Sequence, residues 1–267
     1  MTSYNIITCM TSRISQKNTA ETIGIIQDGL NIRNRLQDMK ASELFNNRIS
    51  IITGHFGTGK TEFAVNLALS FAAEGHKTAI ADLDIVNLYF RSRERRNILE
   101  DAGIRVICSS QDHELADIPS IPPDVTALFE DRSYKVVLDL GGDPSGARVI
   151  ARFLPHIQRE DSRLFYVFNA RRPEIATVDA AEDYLRRIEE VTGLECGGII
   201  NNTHLCGFTS AEDVLEGEET ARKLSEKTGI PLICSVAEGR LLPALSGSAF
   251  PLFPIEILMK KPWEVER

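Results

Sequence analysis

The sequence predicts an α/β protein with a doubly wound, mostly parallel sheet of about seven strands and helices on both faces. From residue 48 onward there are seven short runs rich in β-branched residues: RISIIT, KTAIAD, IRVICS, YKVVLDL, RLFYVFN, CGGIIN and PLICSV. Helical patterns lie between them, at residues 61–73, 149–157, 175–192 and 211–228. Strands that are apolar throughout and alternate with helices are typical of a parallel sheet buried on both faces.

The alternating pattern divides the 267 residues into three parts. Residues 1–47 form an N-terminal extension, helical or partly disordered, in which Ile23, Ile26, Leu30 and Leu36 could line one helical face. A translation start at Met39 is the alternative that stays open for this part. Residues 48–245 carry the strands and helices, and residues 246–267 form a C-terminal tail that is expected to pack on the body as an arm.

Composition excludes several classes of function. The formal net charge of −8 and the pI of about 5.3 disfavour broad nucleic-acid binding, which needs a basic footprint. No segment has the length of a transmembrane helix, so membrane association is not expected, and the first 20 residues lack the apolar run of a secretory signal. We therefore expect a cytoplasmic protein.

The cysteine pattern agrees with a reducing compartment. The five cysteines are odd in number and none are spaced as C-x-x-C, which favours free thiols. A metal that bridges two subunits through Cys196 or Cys206 is the alternative.

The stretch ISIITGHFGTGKTEFAVNLALSFA, residues 49–72, reads as a strand, a glycine-rich turn and a helix. Its turn has the pattern G-x-x-x-x-G-K-T, in which glycines let backbone amides approach a phosphate and the helix points its positive end at the same anion. We expect Lys60 to bridge the β- and γ-phosphates and the Thr61 hydroxyl to bind Mg²⁺. Residues 48–245 are thus predicted to be a P-loop nucleotide-binding domain. The nucleotide-binding residues predicted in the turn are Gly54, His55, Phe56, Gly57, Thr58, Gly59, Lys60, Thr61 and Glu62.

Acidic residues follow two of the predicted strands, in IADLDIVN and VVLDLGGD. A carboxylate at the end of a buried strand is costly unless it is paired or binds a cation, and that end of an open α/β sheet faces the ligand crevice. The predicted metal ligands are Thr61, Asp84 and Asp139, which would hold Mg²⁺ directly or through water. Gly141 and Gly142 would let the following loop move when a γ-phosphate is gained or lost.

These motifs together resemble the MinD/ParA-type (deviant Walker A) P-loop ATPases of the SIMIBI class. The resemblance covers about residues 49–235 and keeps the family's order. It is carried by the turn at 54–61, by Asn66-Leu67-Ala68, by Asp82-Leu83-Asp84, by the segment from Asp139 and by NARRPEIATVDA.

The resemblance implies roles for individual residues. Lys60, Asp84 and Asp139 would be catalytic, with Asp84 positioning the attacking water and Asp139 acting in the Mg²⁺ shell. Asn201 or Asn202 would read adenine. The implied ligands are ATP and Mg²⁺, and the implied partner is a second copy of the chain in a nucleotide-dependent homodimer, or another protein.

The chain departs from the family at His55 and Phe56, where the family has a lysine and a glycine. The family's lysine reaches the phosphates of the partner subunit, whereas a histidine is only partly charged near neutrality. Either His55 or an arginine replaces that cation, and Arg91, Arg171 and Arg172 are the candidate arginines.

The function expected from the sequence is a Mg-ATP-binding P-loop protein, a slow ATPase that acts as a nucleotide-dependent switch. ATP is expected over GTP, because His204 stands three residues after Asn201, where a guanine-reading Asp would lie. One alternative is an ATP-dependent small-molecule enzyme of the dethiobiotin synthetase or cobyrinate amide ligase type, suggested by Arg171, Arg172 and the acidic segment SAEDVLEGEE. Others are a metallocentre-insertion NTPase and a scaffold that binds ATP and hardly hydrolyses it.

Overall fold

The computed structural model describes residues 39–84, 96–108 and 123–259. Within these residues a single sheet has eight strands in the order β3-β2-β4-β1-β5-β6-β7-β8, and every adjacent pair is parallel. The strands are β1 Ile49–Thr53, β2 Thr78–Asp82, β3 Arg105–Cys108, β4 Lys135–Asp139, β5 Ser162–Phe168, β6 Cys196–Asn201, β7 Leu232–Glu238 and β8 Leu252–Ile255. The doubly wound α/β prediction is confirmed.

Helices connect the strands. The α-helices are α1 Ala41–Leu44, α2 Lys60–Ala73, α3 Arg96–Asp101, α4 Pro123–Glu130, α5 Pro144–Ala147, α6 Leu154–Ile157, α7 Val178–Thr192 and α8 Ala211–Thr228. Short 3₁₀ helices span Arg148–Phe153, Pro173–Ile175 and Gly239–Leu245.

All seven predicted strands are present, and the structure adds an eighth. Strand β8 lies inside residues 246–267 and pairs with β7 at the edge of the sheet, with Pro254 opposite Ala237. A proline has no amide hydrogen to give to a neighbouring strand, and an edge position tolerates that loss. The tail therefore extends the sheet before it ends.

Two predicted helices begin or divide differently from the expected pattern. The stretch 149–157 is a 3₁₀ helix followed by α6, and Pro155 in α6 lacks the amide hydrogen that a continuous α-helix would use. Helix α7 begins at Val178, because the Thr177 side chain accepts a hydrogen bond from the Ala180 amide and caps the helix there.

The core has two large clusters, one on each face of the sheet, and a smaller third cluster around Ala237, Leu245 and Leu252. Neighbouring residues of a strand alternate between the two large clusters, so that Ile51 packs in one and Ile52 in the other. Helix α2 covers the Ile52 side through Phe63, Leu67 and Phe71. Helix α7 covers the opposite side through Ala181, Leu185 and Ile188.

Several predictions lie outside the described residues. These are the N-terminal helix with an apolar face at Ile23, Ile26, Leu30 and Leu36, and Arg91 in the segment that follows Asp84. The alternative translation start at Met39 stays a prediction. Within the part of the chain that the structure does describe, no helix has both the length and the apolar character needed to cross a bilayer.

Candidate functional site

The glycine-rich turn connects β1 to α2 at the carboxyl end of the sheet. Strand β1 lies between β4 and β5, where successive connections leave in opposite directions, and such a point opens a crevice in α/β sheets. Gly54 begins the turn with a φ of 149°, and Gly57 and Gly59 have φ of 74° and 81°. A side chain would strain these positions, so the glycines are required by the backbone path.

Lys60 and Thr61 are the first residues of α2, and both are buried. The Thr61 hydroxyl donates to Asp139 Oδ2 at 2.7 Å. Lys60 Nζ lies so close to Gly142 that a Cβ on that glycine would be 2.8 Å from it. The structure thus brings the turn and the loop after β4 together, as the sequence predicts.

Three buried aspartates face this corner. Asp82 and Asp139 lie side by side at the ends of β2 and β4, and the Asp84 amide donates to Asp82 Oδ1 at 3.1 Å. Burial raises the pKa of Asp139 to about 7, and the negative charge of Asp82 adds to the shift, while Lys60 and the Thr61 hydroxyl oppose it. The corner therefore favours a bound cation.

The residues present fit Mg²⁺. Asp139 Oδ1 is buried and has no hydrogen-bond partner among the described residues, and its other oxygen already touches the Thr61 hydroxyl. Carboxylate and hydroxyl oxygens are ligands that Mg²⁺ accepts, usually together with phosphate and water oxygens. In the described ranges no group of three or more His, Cys, Asp or Glu side chains is arranged to hold a metal, so phosphate and water would complete the shell.

Replacing Asp139 with asparagine is expected to stabilise the nucleotide-free protein at pH 7 by on the order of a few kcal/mol. The folded protein holds this carboxyl at a pKa of about 7 against an ordinary 3.8, so wild-type stability falls as pH rises through that window. The amide has no charge to bury. Urea unfolding should show that the variant gains free energy of unfolding over wild type, with the gain largest at pH 7 and smaller toward about pH 4. A gain that is equal at the two pH values, or absent at both, would contradict the raised pKa of Asp139.

His55 packs away from the cavity. Its ring lies edge-on to Tyr184, with centroids 4.8 Å apart, and its Nδ1 is 3.0 Å from the Phe56 carbonyl oxygen. The Tyr184 hydroxyl donates to the Gly142 carbonyl. The His55 ring thus packs on Tyr184, and His55 is not among the residues that line the cavity. Phe56 is 58% exposed and lines the cavity rim.

The two neighbouring arginines have different surroundings. Arg172 Nε donates to the Gly57 carbonyl at 2.6 Å, which places its guanidinium against the turn. Arg171 instead pairs with Asp213 and Glu216 on α8, each at 2.6 Å. Of these two arginines, Arg172 is therefore the one that contacts the cradle. The acidic segment suggested as a substrate site is partly occupied by Arg171.

The two candidate asparagines also separate. Asn202 lines the cavity and its Nδ2 donates to the Thr58 carbonyl at 2.7 Å. Asn201 is fully buried, with Nδ2 donating to Val214 O and Ser235 Oγ and Oδ1 accepting from Thr203. Its polar atoms serve the packing of α8 and β7, and only Asn202 reaches the site.

His204 forms part of the wall beside Asn202. The Cys206 amide donates to His204 Nδ1 at 3.2 Å, so the neutral ring carries its hydrogen on Nε2. A Cβ on Gly59 would lie 3.0 Å from that Nε2. Burial, with a smaller contribution from the Arg172 charge, lowers the pKa of His204 to about 4. The ring is neutral at physiological pH, and its buried Nε2 has no hydrogen-bond partner among the described residues.

One cavity of about 340 Å³ joins these groups, and its volume is within the range of small-molecule sites. Part of the lining comes from the glycine-rich turn, the start of α2 and the loop after β5: Gly57, Gly59, Lys60, Thr61 and Arg172. Another part is apolar and comes from β7, the 3₁₀ helix after it, β8 and the residues that follow β8: Val236, Leu241, Ile255, Ile257 and Met259. A ligand with an anionic part and an apolar part suits this lining.

Comparison with protein families and with curated proteins finds no match to this chain. Among solved structures it is similar to the cell division protein FtsY of Thermotoga maritima, at 22% identity and a TM-score of 0.48, over 69% of this chain and 59% of that one. It is also similar to the signal recognition particle 54 kDa protein of Aeropyrum pernix K1 in complex with GDP, at 19% identity and a TM-score of 0.44, over 69% of this chain and 40% of that one.

A third similar structure is a nucleotide-binding protein of Archaeoglobus fulgidus in complex with ADP, at 20% identity and a TM-score of 0.42, over 78% of this chain and 89% of that one. The chain spans less than two thirds of the FtsY and signal recognition particle chains. At these identities and TM-scores the similar structures do not indicate an activity for this chain. The function is therefore inferred from the geometry of the site.

Some residues of the site give no signal in the sequence. Tyr184 is one position in an amphipathic helix, and Ile257 and Met259 belong to a segment expected only to pack on the body.

Among the described cysteines, Cys196 and Cys234 are buried and Cys206 is exposed, all as free thiols. Burial raises the pKa of the Cys196 thiol to about 12, so that side chain stays protonated.

Proposed function

We propose that this chain is a Mg-ATP-binding P-loop protein of the MinD/ParA type, in which slow ATP hydrolysis drives a nucleotide-dependent switch. The observation that carries the proposal is the contact between Thr61 and Asp139, beside Lys60, beneath a cavity that opens from the glycine-rich turn. A glycine-rich turn without a ligand would not require a hydroxyl, a lysine and a buried carboxylate to meet at one point.

The phosphates would lie against the start of α2. Backbone amides of the turn would bind the phosphate oxygens there, and the helix would add the positive end of its dipole. Lys60 supplies a side-chain cation from below, and Arg172 supplies a second from the loop after β5. A guanidinium matches phosphate oxygens in geometry and stays charged at all physiological pH values.

Thr61 and Asp139 would hold the Mg²⁺ that accompanies ATP. The ion supplies neutralisation of phosphate charge when it is bound. Asp84 is buried beside the same carboxylates, with Oδ1 close to Gly141, and it would orient a water molecule for attack. Its neighbour Asp82 accepts a hydrogen bond from the Asp84 amide, which fixes the backbone path directly after β2.

The base end of the cavity, which is the part lined by Asn202, His204 and Glu238, supports ATP over GTP. Leu205 stands three residues after Asn202 and His204 three after Asn201, so neither position offers a carboxylate to guanine. Glu238 lines the cavity, but Arg240 Nε donates to its Oε2 at 2.7 Å, which occupies part of the acceptor edge that a guanine would need.

The switch would operate through the loop after β4. Gly142 touches Lys60 and Phe56 on one side, and its carbonyl accepts the Tyr184 hydroxyl of α7 on the other. A γ-phosphate at Lys60 therefore competes for the space that this loop occupies. The ATP and ADP states would favour different partners or a homodimer.

Phosphate release from Mg-ATP by the purified chain, with no metabolite added, tests the proposal. Slow turnover of ATP alone supports a switch. Turnover only in the presence of a small-molecule co-substrate would favour the ligase-type alternative instead.

Replacing Arg172 with alanine is expected to lower ATP turnover by about tenfold to a hundredfold, less than for a fully buried cation because Arg172 is half-buried and partly screened. Arg171→Ala is the matched control, since it removes the adjacent arginine and breaks only the pairs with α8. Equal losses in both variants would show that the cradle does not use Arg172.

A further inference from the structure

The backbone of residues 256–259 is fastened to the nucleotide-binding helix. Glu62, which directly follows Thr61, accepts the Leu258 amide on Oε1 at 2.8 Å and the Met259 amide on Oε2 at 3.1 Å. Both carboxylate oxygens of one side chain thus hold two consecutive amides that a strand end would otherwise leave without a partner.

Asn66, one helical turn further along α2, holds the same segment at a second point. Its Oδ1 accepts the Glu256 amide at 2.9 Å and its Nδ2 donates to the Glu256 carbonyl at 3.0 Å. Four hydrogen bonds from two side chains therefore fix residues 256–259 against the helix that begins with Lys60. The position of this segment relative to the cradle is set by α2 itself.

The side chains of this segment alternate in the way that an extended chain requires. Leu258 packs on the core cluster that contains Phe63 and Phe253, whereas Ile257 and Met259 line the cavity. Ile257 is 49% exposed, so part of its apolar surface is open to a ligand in the cavity. Leu241 and Val236 add to the apolar lining of the same cavity.

We propose that residues 256–259 form the wall that contacts the base of the bound nucleotide, with Ile257 and Met259 packing on the planar heteroaromatic ring. This rests on the proposed function, because the cavity that these side chains line is continuous with the phosphate cradle. Glu62 and Asn66 are positioning residues in this arrangement: they hold the wall and leave base contact to the apolar side chains.

The test compares two probes on Ile257→Ser, namely Mg-ATP and Mg-tripolyphosphate, by calorimetric titration. Tripolyphosphate has the anionic part of the ligand and no base. The variant is expected to bind ATP about tenfold more weakly, because it loses roughly half of the free energy gained by burying an isoleucine side chain. Its binding of tripolyphosphate should be unchanged. Ile98→Ser is the matched control, since Ile98 is 40% exposed on α3 and does not line the cavity.

A second variant tests the positioning role. Glu62→Gln keeps the shape of the side chain and leaves it one carbonyl oxygen for two amides. Hydrogen exchange at the Leu258 and Met259 amides should become faster, and ATP affinity should fall relative to tripolyphosphate affinity. Unchanged exchange at both amides would overturn the role of Glu62.

The outcomes separate this inference from the proposed function. Wild-type protein that binds ATP, with Ile257→Ser binding it equally well or losing both probes to the same degree, would overturn the base wall alone. Wild-type protein that binds neither probe would overturn the proposed function and the wall with it.

Discussion

Replacing Lys60 with alanine is expected to weaken Mg-ATP binding by at least about a hundredfold. Lys60 is buried at the start of α2, and its ammonium group lies beside Gly142, where the β- and γ-phosphates would meet the loop after β4. A charge in a site closed to water interacts far more strongly with phosphate than one at the surface. Titration calorimetry measures the loss directly.

Lys77→Ala is the control for that measurement. Lys77 precedes β2 at the opposite end of the sheet, is half-exposed and pairs with Asp131 at 3.4 Å. Its removal should leave ATP affinity unchanged. Thermal unfolding of both variants shows whether each remains folded, and a folded Lys60→Ala protein with affinity within tenfold of wild type would contradict the placement of the phosphates.

Replacing Asp84 with alanine is expected to leave ATP binding within a few-fold of wild type and to lower hydrolysis by about a hundredfold or more. The carboxylate lies at the end of β2 beside Gly141, where it can orient a water molecule, while the cradle residues that bind phosphate stay in place. Single-turnover hydrolysis, measured with enzyme in excess over ATP so that all the ATP is bound, separates this loss of rate from any change in affinity.

Asp161→Ala gives the matched control for Asp84, because Asp161 is exposed at the amino end of the sheet, before β5. It should hydrolyse ATP at the wild-type rate. Normal hydrolysis by Asp84→Ala would show that another group orients the water, and the neighbouring Asp82 would then be the residue to replace.

Seven of the eight strands could be predicted because each lies in a short, mostly apolar run, and such runs are specified locally. The glycine-rich turn could be predicted for the same reason: its glycines, Lys60 and Thr61 stand in one stretch between a strand and a helix. The partner of Thr61 at Asp139 follows from the rule that ligands bind at the carboxyl ends of parallel strands.

Other features depend on contacts that no local pattern encodes. The sequence offers Arg171 and Arg172 equally, and only the packing of α8 decides that Arg171 pairs with Asp213 while Arg172 reaches Gly57. Asn201 and Asn202 are likewise neighbours that point in different directions at the end of β6.

The C-terminal wall of the cavity depends on the longest contacts of this kind. Asn66 and Glu256 are 190 residues apart in the chain and bond through both backbone groups of Glu256. The sequence of the tail shows that a long helix is unfavourable there, but it gives no sign of the helix to which the segment is fastened. That information is present only when both parts are placed in space.

Competition binding between Mg-ATP and Mg-GTP on the wild-type protein tests the central claim most directly. The account predicts saturable binding of one ATP per chain, dependent on Mg²⁺, with GTP displacing it only weakly. Preference for GTP would contradict the assignment of the base end, and the absence of saturable binding by either nucleotide would contradict the account as a whole.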